Sequence, residues 1–176
     1  HAHHAPHFDF FAAAHIHNRG TFRHRALIDA AHRTVEQRDR SRDAGASWEN
    51  LGLKDSQHIS KIVVHPEKPD VVWVAAQGPL WSKGGDRGLF KTTDGGKTWA
   101  KILGAGEWTG VTDVALDPRN PDVLYAATWQ RHRTVAAYMG GGPESGLHRS
   151  QDGGTTWEKL KKEGGEEKEK GKKKRE

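Results

Sequence analysis

The chain predicts an all-β fold, a partial β-propeller made of two four-stranded blades and the end of a third. Three observations carry that expectation. A short pattern occurs three times, as Ser41-x-Asp43-x-Gly45-x-Ser47-Trp48, Thr92-x-Asp94-x-Gly96-x-Thr98-Trp99 and Ser150-x-Asp152-x-Gly154-x-Thr156-Trp157, at offsets of 51 and then 58 residues. Residues 59–77 align without gaps on 111–129, at an offset of 52. Residues 88–103 align on 146–161 at an offset of 58, so the second unit carries six extra residues in the loop between the two aligned stretches. A period of this size is about the length of one propeller blade.

Each unit reads, in order, as strand, Pro-rich turn, strand, loop, short strand, Asp-Gly-Gly turn and short strand. Pro66, Pro69 and Asp70 of the first Pro-rich turn recur as Pro118, Pro121 and Asp122. In the second turn, glycine reaches φ > 0 without a Cβ clash, which suits Asp-Gly-Gly between alternating apolar runs to a hairpin. A short carboxylate such as Asp94 can accept backbone N–H groups across that turn, and the hydroxyl two residues earlier can add a further bond. Trp99 and Trp157 then open the next strand, where a large flat side chain can fill the space between neighbouring sheets. On this reading residues 58–103 and 110–160 supply two blades, and residues 41–51 supply the last strand or hairpin of a third.

The two ends differ from the middle. Residues 1–40 hold eight of the twelve histidines and none of the seven tryptophans. They predict an irregular or helical segment foreign to the repeat, with a loose helical pattern through Leu27, Ile28, Ala31 and Val35. Where a repeat strand would put Gly-Leu-Phe-Lys, as at 88–91, the chain has Gln37-Arg38-Asp39-Arg40. Residues 161–176, KKEGGEEKEKGKKKRE, contain no apolar side chain and predict a disordered charged tail. Three divisions follow: 1–40, the blades at 41–160, and the tail.

The middle, with 14 basic and 14 acidic residues, has no net charge, so the basic balance belongs to the ends. A nucleic-acid partner would need a basic stripe on the folded part, and none is expected. No apolar run reaches membrane-spanning length and no targeting signal opens the chain. The chain has no cysteine, which excludes thiol chemistry and disulfides.

At this point a family is recognisable. Residues 41–160 resemble the Asp-box (BNR) repeat β-propellers, through KTTDGGKTW at 91–99 and RSQDGGTTW at 149–157. The phrases VVHPEKPDVVWVAA, DPRNPDVLYAATWQRHRT and GGGPESGLHRS are similar to bacterial propellers that carry repeats like the sortilin N-terminal domain, often labelled glycosyl hydrolase-like. The resemblance implies a secreted or periplasmic propeller fragment. Its partners would be the remaining blades of a longer chain and a protein, peptide or glycan ligand. It implies a non-catalytic binding scaffold, or alternatively part of a sialidase- or xyloglucanase-like glycoside hydrolase with most of its acids elsewhere. Fold alone does not choose between them.

Decoys are dismissed on spacing. Gly95-Gly96-Lys97-Thr98 lacks the glycine a phosphate loop needs, because Lys91 stands there, and a strand follows rather than a helix. Asp94-x-Gly96 lacks the further oxygen ligands of a calcium loop. His15-x-His17, with His1, His3, His4 and His7, is histidine spacing without a carboxylate partner. No catalytic residue, cofactor or metal ligand is assigned. Hydrolysis would need two carboxylates about 5–10 Å apart. Asp113, beside Thr112 in an expected inner strand, is the acid best placed to face a channel, and Asp43, Asp94 and Asp152 are reserved for their turns. Ligand binding is expected on the loops at 78–87 and 130–145, where Trp81, Arg131, His132, Arg133 and Tyr138 offer stacking faces and cationic donors.

Overall fold

The computed structural model describes residues 10–11, 39–41, 43–104 and 106–161. The N-terminal histidines, the helical pattern at 25–38 and all of the charged tail after Lys161 lie outside the described residues. The described residues are almost entirely β, with one 3-10 turn among them at Lys54–Ser56. A partial propeller is what the sheets form.

The first blade is a four-stranded antiparallel sheet of β4 (Ile59–Val64), β5 (Val72–Ala76), β6 (Gly88–Thr92) and β7 (Ala100–Leu103), in that spatial order. The second repeats it with β8 (Thr109–Asp117), β9 (Asn120–Gln130), β12 (Gly146–Ser150) and β13 (Glu158–Lys159). The register repeats too. Ala76 faces Gly88 in the first sheet, and their counterparts Thr128 and Gly146 face each other in the second. A short hairpin, β10 (His132–Arg133) with β11 (Tyr138–Met139), lies within the long loop of the second blade. It accounts for part of the six-residue excess.

The end of a third blade is present as β2 (Asp39–Ser41) paired with β3 (Glu49–Asn50), with β1 (Phe10–Phe11) added on the outer side of β2. Strand β2 begins two residues before Ser41 and contains Arg40, which is buried.

Packing follows the period of two along the central strand. The run Val72-Trp73-Val74-Ala75-Ala76 is buried throughout, as a strand covered on both faces must be. One face of the first sheet sends Trp73, Ala75 and Leu89 into Val111, Val114, Leu124 and Ala126 of the second sheet. The opposite face sends Val72, Val74, Ala76 and Phe90 toward Leu53, Ile62, Val64 and Trp99. Each fully buried Val, Leu or Phe side chain contributes about 1.5–3 kcal/mol relative to exposure.

Candidate ligand-binding face

The three repeated turns share one hydrogen-bond scheme. Asp94 Oδ1 accepts the Thr98 backbone N–H at 2.9 Å and the Thr92 hydroxyl at 2.7 Å, while Oδ2 accepts the Thr98 hydroxyl at 2.6 Å. Thr92 Oγ1 in turn accepts the Gly96 N–H at 2.9 Å. Ser41, Asp43, Gly45 and Ser47 repeat the scheme, as do Ser150, Asp152, Gly154 and Thr156. These bonds favour the charged carboxylate. The Ser47 hydroxyl, then its N–H, then Ser41 lower Asp43 to about 2. Asp94 and Asp152 are held well below the usual carboxylate range, first by the Thr98 and Thr156 hydroxyls. An acid held this way has a lowered rather than a raised pKa, the opposite of what a general acid needs.

The tryptophans complete the turns in two ways. Trp48 and Trp157 donate Nε1–H to Gly45 O and Gly154 O of their own turns, both at 3.1 Å. Trp99 instead reaches across to Leu51 O at 2.7 Å and links the first blade to the hairpin before it. Gly96 sits at φ +92°, where a Cβ would strike Leu51, so glycine there serves both the backbone and the contact between sheets.

The two loops between second and third strands meet at one end of the blades. The Arg133 N–H donates to Leu80 O at 3.3 Å, Arg131 N–H to Trp108 O at 3.0 Å and Gly84 N–H to Glu107 O at 2.9 Å. All five loop residues singled out from the sequence fall in this region. The Arg133 guanidinium lies 5.1 Å from the Trp81 ring centroid, and Arg133 is paired across the small hairpin with Tyr138. The His132 ring is 3.9 Å from Trp108, and Arg131 lies 5.2 Å from Trp129. Trp81 and Tyr138 are 59% and 58% exposed.

Sequence reasoning missed the residue that shapes the first loop. Arg87 is fully buried and donates to Gly84 O at 2.8 Å, Gln77 O at 3.1 Å, Ser82 O at 2.6 Å and Pro79 O. One guanidinium thereby folds residues 77–84 around itself. Gly78, at φ +72°, leaves the space its stem occupies. Burial, and then the neighbouring charge of Arg131, push Arg87 below the ordinary arginine value. The only sequence signal was an arginine closing a Gly-rich loop. Trp108 was missed as well, and it lies between His132 and the Arg87 head, 5.8 Å from the latter.

The acids divide by role. Asp113 pairs with Lys61 at 2.7 Å, both half exposed. Asp117 forms a fork with Arg119, whose side chain holds it at about 2. The Asp70 and Asp122 carbonyls accept Gly95 N–H and Gly153 N–H, tying the Pro-rich turn of each blade to its Asp turn. At the loop end, Glu107 pairs with Lys83 at 3.3 Å, and Glu144 accepts the hydroxyl of buried Thr109. Among the described residues, no group of three or more His, Asp or Glu side chains is arranged to hold a metal ion. No helix among them is long and apolar enough to cross a membrane.

Comparison with known proteins places this geometry. A probable oligoxyloglucan-reducing end-specific xyloglucanase of Neosartorya fischeri is 28% identical over 104 residues, which is 57% of this chain and 10% of that protein. The crystal structure of an ancestral GH74 enzyme superposes with a TM-score of 0.53 at 22% identity, over 72% of this chain and 15% of that one. The likeness to the solved enzyme is one of fold. The chain thus spans about a tenth of the curated relative's length and about a seventh of the solved enzyme's. Residues 37–174 match the family model described as Sortilin, neurotensin receptor 3 (Sortilin-Vps10), and the chain belongs to that family of sortilin-like and glycosyl hydrolase-like propellers.

Proposed function

We propose that this chain supplies two blades of a larger propeller whose loop end binds a glycan without cleaving it. The observation that carries the reading is the exposure of Trp81 and Tyr138 at the loop end, with the Arg133 guanidinium over the Trp81 ring. Sugar rings stack their C–H faces on such aromatics, and arginine donors then fix the hydroxyls. The resemblance to a xyloglucanase supports a β-glucan backbone with branching sugars as the ligand class. The reading implies a secreted or periplasmic protein.

A second reading, part of a glycoside hydrolase, draws on Glu107 and Glu144 at the same loop end. Titrating the chain with xyloglucan oligosaccharides, while following tryptophan fluorescence and reducing ends, separates the two. The binding reading expects a saturable fluorescence change, lost in Trp81→Ala, and a constant number of reducing ends. New reducing ends that disappear in Glu144→Gln would establish hydrolysis instead. No saturable change with any oligosaccharide would end the glycan reading.

A further inference from the structure

The charges at the loop end do not balance. Its acids, on the segments 78–87, 106–108 and 131–145, are each committed elsewhere. Glu107 pairs with Lys83 at 3.3 Å, and Asp86 Oδ2 accepts the Asp55 N–H at 3.1 Å. The Glu144 carboxylate accepts the Thr109 hydroxyl and lies where a Cβ on Gly106 would stand. Arg87 is enclosed by the carbonyls of its own loop. Arg131 and Arg133 are left over, and neither forms an ion pair with a carboxylate of any described residue.

Both arginines stand beside residues 78–81. Arg131 is 9% exposed, donates from Nη2 to Gly78 O at a long 3.4 Å, and keeps Nε buried without an acceptor among the described residues. Arg133 is exposed; its N–H donates to Leu80 O and its guanidinium lies over Trp81. The Tyr138 phenol and the Arg87 head are each near enough to Arg131 to interact with it electrostatically. A guanidinium has five N–H donors, and lying over an aromatic ring occupies none of them. Two such groups beside a third cation raise the local positive potential. Sugar hydroxyls can accept from these donors but leave that charge uncompensated. A carboxylate compensates it and matches the planar fork at two points.

We infer that the glycan bound at this end carries a carboxylate, the acid of a uronic sugar among its branches, with Arg133 as the fork that grips it and Arg131 as the second charge. The inference rests on the glycan reading above and names the charge of the ligand. Trp81 and Tyr138 stack the sugar ring, and the arginines select the acid that the ring bears.

The test uses the full chain and a matched pair of ligands. One is a galactose-bearing xyloglucan oligosaccharide, and the other is the same molecule with the galactose primary alcohol oxidised to the carboxylic acid. Calorimetry at neutral pH and low salt should favour the acid by roughly tenfold or more, the scale of hydrogen bonds to a charged group. Ionic strength of about 1 M should shrink the preference, because charges are then screened over about 3 Å. Arg133→Gln should remove most of the preference, whereas Arg133→Lys should keep part of it, since the charge stays and the fork is lost. Arg131→Gln should lower it too, with the urea midpoint reporting whether that buried site still folds. Arg119→Gln, which removes a charge at the opposite end of the second blade, should leave the preference intact. Equal affinity for the two ligands, a preference that survives Arg133→Gln, or an equal loss in Arg119→Gln would overturn the inference while the glycan reading stands. Binding of neither ligand would overturn both.

Discussion

The first and second blades are written at the same register in closely similar residues, yet they are buried differently. In the first, Trp73, Ala75 and Leu89 are covered by the second blade, while Val72, Val74 and Ala76 are covered from the other side. In the second, Leu124 and Ala126 are buried against the first blade, while Tyr125 and Ala127 on the other face are partly exposed. Strand sequence is therefore not what decides burial in this fold. A neighbour does, and a blade is a complete structural unit only when both faces have one.

The turns show the opposite behaviour. Asp94 and Asp152 make nearly the same bonds although their blades differ in cover. The bonds among the turn's hydroxyls, carboxylate and the backbone N–H groups they hold lie within six residues of one another, so that network closes without help from the next sheet. Local chemistry is uniform along the array, and packing is not.

The largest expected effect probes the packing side of this contrast. Trp73→Ala should destabilise by about 3–5 kcal/mol, the usual cost of emptying an aromatic site in a core. Tyr125→Ala, at the equivalent position on the open face, should cost less than half of that. Urea unfolding of the two variants reads the difference, and equal losses would mean that the open face is as well packed as the closed one.

A middle-sized effect should be the same in both blades. Thr92→Val strands the buried Gly96 N–H, and Ser150→Ala strands that of Gly154. Each should cost about 1–3 kcal/mol, the penalty for a buried donor left without an acceptor. A much smaller loss at Ser150 would show that the turn depends on blade cover after all.

The smallest effect is expected from acid. The turn aspartates have folded pKa values below the unfolded value of 3.8, with Asp43 at about 2. Their contribution is fully present above pH 3.8 and is lost as pH falls through about 2 and below. Stability should be flat from pH 7 to about 4.5 and fall below that, and Asp43→Asn should flatten the fall. A decline centred above pH 5 would require a different titrating group.

How much was legible depended on the range of the interaction. The Asp turns could be read because hydroxyl, carboxylate and glycine stand at fixed short offsets. Trp81, Arg131, His132, Arg133 and Tyr138 could be picked out as loop residues because gaps in the repeat mark loops. That His132 meets Trp108, or that Arg87 gathers four carbonyls, could not be read, because those partners come from different loops or need a folded loop to exist. Nor could the contact of Arg40 be read. A buried arginine looks foreign in a strand, but here it donates to Gly95, 55 residues away, and only the stacked sheets bring that carbonyl within reach.

By itself the sequence determined the all-β blades, the order of strands and loops in each and the three repeated turns, because those depend on short periods and on bonds spanning six residues or fewer. Tertiary structure decided which face of each sheet is covered, what Arg40 and Lys91 hold, and how two loops combine into one aromatic and cationic surface. These depend on contacts between distant parts of the chain, such as Arg40 to Gly95 and Lys91 to Gly153, whose geometry exists only once one sheet lies on the next.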